Sequence, residues 1–187
     1  MKANELTHYL LAELHRMVAA NAQTSAVVRA MTNKATDPVL KATLEKHSEI
    51  TAREARVAEW LLAEQGEPNT PSASRPVEVM AHDGWLAAGE KDNQLRDLEV
   101  ATVCTQLQSY HLASWFGIAA WLRVLQLHEE ADAVDTITSD LRILEREIET
   151  LRPSLAQLDD NPNNSTEWYK PSNRRAAGNF TTSSLRI

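Results

Sequence analysis

An all-α protein, built as a four-helix bundle with a long central crossover, is the fold class the sequence predicts, and three observations predict it. Apolar residues in the long segments recur at spacings of three and four rather than at the strand period of two. Only five glycines interrupt the 187 residues, which leaves few sharp turns. The breakers that do occur leave four long segments: a short link joins the first two, another joins the last two, and a proline-rich stretch lies between.

The elements follow in order. A first helix is expected over about residues 4–32, where Leu6, Leu10, Leu14, Met17, Val28 and Met31 form the apolar stripe and Asn21 and Thr24 interrupt it. Asp37-Pro38 supplies a cap and a first-turn proline, so a second helix should start there and run to about residue 65. Its stripe reads Leu40, Leu44, His47, Thr51, Glu54, Ala58, Leu61: apolar at the ends and polar in the middle. GEPNTPSASRP (66–76) is a surface crossover, because prolines and small polar residues cannot continue either period. VEVMAHDGWLAAGE predicts a short helix with Gly84 as its weak point. A third long helix is expected from Asn93 to about Leu127, with stripe Leu98, Thr105, Gln108, Leu112, Trp115 and Leu122. The fourth, about 129–151, carries Val134, Ile137, Leu141, Leu144, Ile148 and Leu151. The bundle is thus expected over residues 1–152, and 153–187 as an irregular tail rich in Asn, Ser and Pro, without a core of its own.

Composition narrows the function classes. The chain is 43% hydrophobic and 24% charged, a soluble balance. Its net charge of −7 argues against nucleic acid, whose phosphates need a basic surface. No apolar run approaches the roughly 20 residues that span a bilayer, and MKANELTHYL is no signal peptide. A cytoplasmic location is therefore expected. Cys104 is the single cysteine and lies in apolar sequence, which fits a small buried hydrophobe. The Asn-x-Ser/Thr matches at Asn163, Asn164 and Asn179 carry no weight without a secretory signal.

Within QLQSYHLASWFGIAAWL (106–122), Gln108 and His111 sit one turn apart on an otherwise apolar helix. Aligned with the other helices, they join a polar belt of Asn21, His47, Glu54, Gln108, His111 and Asp140. Crossover bundles of the ferritin-like kind build di-metal sites at this level, from one Glu on each of two helices and a Glu-x-x-His on each of the others. Two hard cations need anionic bridging oxygens, and the belt offers only Glu54 and Asp140. No cofactor is therefore expected. The alternative is one divalent ion (iron, manganese or zinc) drawing on His47, Glu49, Glu54, His111 and Asp140. Without metal, the belt would be a hydrogen-bonded layer that fixes helix register.

The sequence also resembles the YciE/YciF family, ferritin-like bacterial stress proteins, over about residues 6–151. His47-x-Glu49-x-Thr51 is similar to a His-Leu-Glu-Glu-Thr of that family, Arg96-Asp97 to an Arg-Asp or Lys-Asp before its third long helix, and Leu107–Phe116 to a Val-Glu-His-Tyr-Glu-Ile-Ala-x-Tyr-Gly segment. The resemblance implies a ferritin-like bundle and a role in stress. It also implies that Gln108 and His111 replace two glutamates, Asn21 another and Ile50 a fourth, while Glu49 survives and Ser139-Asp140-Leu141 replaces a glutamate run.

Three functions follow as expectations. One is a structural or interaction scaffold, a homodimer or larger homo-oligomer, to which tryptophans such as Trp60, Trp85, Trp115 or Trp121 would contribute contacts. Another is a metal-dependent oxidoreductase with a remodelled His/carboxylate site. The third rests on the C-terminal FTTSSLRI, which resembles the Leu-Thr-Ile-Gly-Ser-Leu-Arg peptides that address cargo to encapsulin shells. There Phe180, Ser184, Leu185, Arg186 and Ile187 would bind a shell or a neighbouring subunit. No nucleophile–base arrangement, phosphate-cradling glycine loop or cysteine metal motif is present, so the balance leans away from an enzyme.

Overall fold

The computed structural model describes residues 3–156, which form five helices: α1 (Ala3–Lys34), α2 (Pro38–Glu64), α3 (Arg75–Gly89), α4 (Asn93–Val124) and α5 (His128–Leu155). All belong to one compact unit, Met1–Gln157. The tail residues Phe180, Ser184, Leu185, Arg186 and Ile187 lie outside the described residues. No helix among those described is long and apolar enough to cross a membrane.

Local chemistry sets most boundaries. The Asp37 side chain accepts from the amides of Val39 and Leu40, and Pro38 occupies the first turn of α2. Gly66 closes that helix at φ +71°, with the Glu67 amide donating to the Leu62 carbonyl. Asp92 caps α4 through the Leu95 amide. Three expectations need correction. α4 ends at Val124, short of Leu127, because Gln126 turns left-handed at φ 63°; only its non-glycine identity hid the stop. α5 continues through Pro153 to Leu155; proline near a helix end forfeits one amide donor without unwinding the last turn. Gly84 is no weak point in α3. A Cβ there would stand 2.5 Å from Val27 Cγ2, so glycine is what allows α3 to lie close against α1.

The order of the helices around the bundle follows from their contacts. α1 packs on α2, α2 on α5, α5 on α4 and α4 on α1, with α3 laid over the α1–α4 face. Arg53–Asp140 and Lys46–Glu147 pair across α2 and α5 with indices that move in opposite directions, so those helices are antiparallel. Asp97, in the first turns of α4, lies at the α1–α2 turn: its Oδ1 accepts the Thr36 amide at 2.9 Å, and its Oδ2 accepts the Asp37 amide at 2.7 Å and the Thr36 hydroxyl at 2.6 Å. α4 therefore starts where α2 starts and runs parallel to it. The crossover exists to make that possible, carrying the chain back along the bundle. Fully buried Leu10, Leu14, Met17, Leu44, Ile50, Leu61, Leu107, Ile118 and Leu144 fill the interior. Each such side chain contributes about 1.5–3 kcal/mol on transfer from water.

Candidate functional site

At mid-height the apolar interior gives way to polar side chains. Asn21 and Thr24 on α1, His47, Thr51 and Glu54 on α2, and Gln108 and His111 on α4 are each no more than 1% exposed. Glu54 is the centre of the wiring. Its Oε1 accepts the Trp115 indole N–H at 2.6 Å and faces His111 Nδ1 at 3.0 Å. A carboxylate oxygen only accepts, so Nδ1 carries the proton. The other ring nitrogen of His111 lies 3.0 Å from the Thr24 hydroxyl. The chain Thr24–His111–Glu54–Trp115 thus ties α1, α2 and α4 together. A second pair sits two turns up α2, where His47 Nδ1 lies 3.0 Å from Cys104 Sγ.

Burial silences that second pair. It lowers the His47 pKa to about 3, helped by the nearby His111, and pushes the Cys104 thiol well above its usual range. A neutral imidazole beside a protonated thiol is no nucleophile–base couple, since the thiolate is the reactive form.

Five of the six belt residues are inside: Asn21, His47, Glu54, Gln108 and His111. Asp140 is not. Its side chain is 27% exposed and pairs with Arg53 at 2.7 Å on the α2–α5 seam. One residue before the buried Leu141, it falls at the edge of its helix's inward face. Glu49 is exposed on α2. The five metal candidates are therefore not gathered, and no group of three or more His, Cys, Asp or Glu among the described residues is placed to hold a metal ion. Three participants escaped the sequence reading. Trp115 as a donor had a usable signal, its position four residues after His111. Cys104 as the partner of His47 and Asp97 as the clamp on the α1–α2 turn are long-range pairings that no local pattern encodes. Among the tryptophans, Trp115 is buried, Trp121 is half-buried, and Trp60 and Trp85 are 39% and 53% exposed.

A bundle running up, down, down, up, with its central crossover and a polar layer at mid-height, defines the ferritin-like class. Residues 5–160 match the family described as Domain of unknown function (DUF892), and the chain belongs to it, as a ferritin-like protein of the YciE/YciF type. The E. coli stress protein YciF superposes with a TM-score of 0.75 at 12% identity, covering 80% of this chain and 96% of that one. YcfI from Rhodopseudomonas palustris, described as a candidate structural protein, gives 0.72 at 16% identity over 78% of this chain and 93% of that one. At such identities the likeness concerns the fold. No curated protein matches significantly in sequence.

The di-metal centre of ferritin-like carboxylate proteins does not fit these residues. It needs several inward carboxylates, whereas the layer holds only Glu54, and Trp115 and His111 already occupy one of its oxygens. Both nitrogens of His111 are engaged as well.

Proposed function

We propose that this protein is a stress-associated ferritin-like scaffold whose interior serves to hold the bundle in register rather than to run di-iron chemistry. The observation that carries this reading is the wiring of Glu54. Its Oε1 is held by an indole and an imidazole of the protein's own, which supports reading the layer's lone carboxylate as part of a structural network. The printed names of the two structural neighbours, a stress protein and a candidate structural protein, support the same direction. Self-association into a homodimer or larger assembly is part of the proposal. The exposed Trp60 and Trp85 would report subunit contact by a change in fluorescence.

The test is stress survival in the source organism with its own copy deleted. Complementation by a Gln108→Leu variant that keeps its fold should match the wild type if the interior is scaffold. A remodelled oxidoreductase would lose function with the same substitution, since Gln108 lies in the only buried polar layer among the described residues.

A further inference from the structure

Six side-chain atoms of the polar layer are buried without a partner in the protein: both amide atoms of Asn21, both of Gln108, Nε2 of His47 and Oε2 of Glu54. They come from three helices, and none of the four residues is more than 1% exposed. The helix register brings them to one neighbourhood. The His47–Cys104 and Glu54–His111 pairs are both 57 residues apart, as expected for two parallel helices held at one offset. On that offset Gln108 stands level with Thr51, between the two pairs. Asn21 lies one turn from Thr24, which itself touches His111.

The chemistry of this set selects its ligand. Gln108 and Asn21 each present an NH2 donor and a carbonyl acceptor, Glu54 Oε2 only accepts, and His47 Nε2 does one or the other according to tautomer. A cation would satisfy the oxygens and leave the amide N–H groups unsatisfied in a dry interior. An anion would meet the Glu54 carboxylate. Only a small molecule that both donates and accepts can serve all six atoms.

We propose that the layer binds an internal cluster of about two water molecules, which links the His47–Cys104 pair to the Glu54–His111 pair through Gln108 and Asn21. At about three hydrogen bonds per buried water, two waters match the six atoms. The amides at positions 21 and 108 then act as a frame for bound solvent, and the layer is a hydrated seam in an otherwise dry core. This proposal rests on the metal-free reading of the layer.

The experiment is a high-resolution crystal structure of the full chain, grown without chelator and measured with anomalous data, beside the same structure of Gln108→Leu. The expected result is ordered water within about 2.7–3.2 Å of Gln108 and Glu54 Oε2, with loss of that water in the variant while Trp115 and His111 keep their hold on Glu54. Direct pairing of Gln108 with Glu54 or Asn21, with no water between, would overturn the hydration site and leave the scaffold proposal standing. An anomalous metal peak in the layer would overturn both. The wild-type map decides even if the variant does not fold.

Discussion

Asp97 and Glu54 are both buried carboxylates that bridge helices, but they are used differently. Both oxygens of Asp97 are consumed by the α1–α2 turn, which gives it two backbone amides and a hydroxyl. Glu54 takes two side-chain donors on one oxygen and keeps the other without a protein partner. The first arrangement is closed: the turn supplies donors to both oxygens. The second is incomplete on one side, and the unpartnered buried oxygen is where the proposed water would bind. How completely a carboxylate is satisfied therefore says more about its role than its burial does.

The contrast can be broken most strongly at Glu54. Glu54→Ala removes the common acceptor of Trp115 and His111, orphans both donors and leaves a void. Urea unfolding at neutral pH should show a loss of about 4 kcal/mol. A loss below about 1 kcal/mol would mean that the network is incidental.

Acid should act next, through His47. Its folded pKa of about 3 lies below the usual 6.5, so the unfolded chain binds a proton that the folded chain refuses. Stability is then fully present above pH 6.5 and falls as pH drops toward 3, by about 1.4 kcal/mol per unit from this group. Melting curves between pH 7 and 5 in wild type and His47→Leu should diverge in slope, with the variant flatter. Equal slopes would remove His47 from the account.

At the closed site the effect should be smaller. Asp97→Ala frees two amides at a partly wet turn, where water can replace some of the lost bonds, and should lower stability by about 2 kcal/mol. Asp97→Asn should recover part of that. If Asp97→Ala proved more damaging than Glu54→Ala, the ranking of closed and open sites would be reversed. The smallest effect is expected away from both: Gln126→Gly, which removes a side chain from a left-handed position, should raise stability by up to about 1 kcal/mol in thermal unfolding.

The same contrast explains what was legible in the sequence. The start of α2 could be read because Asp37 and Pro38 act on their own next turn. The inward placement of Asn21, His47, Glu54, Gln108 and His111 could be read because helical period fixes direction. Asp140 could not, since a residue at the edge of an apolar stripe is assigned by its partner, here Arg53, and not by its own helix. The end of α4 was hidden because Gln126 takes a conformation usually marked by glycine. Pairings such as His47 with Cys104 or Thr36 with Asp97 depend on how helices far apart in sequence come level, which no local spacing records.

Metal content tests the central claim most directly. Protein purified without chelator, exposed to excess iron(II), manganese(II) or zinc and then desalted, should retain far less than one metal per chain, and its melting temperature should not change. Stoichiometric retention that is lost in Glu54→Gln would place a metal on the open carboxylate and contradict the account.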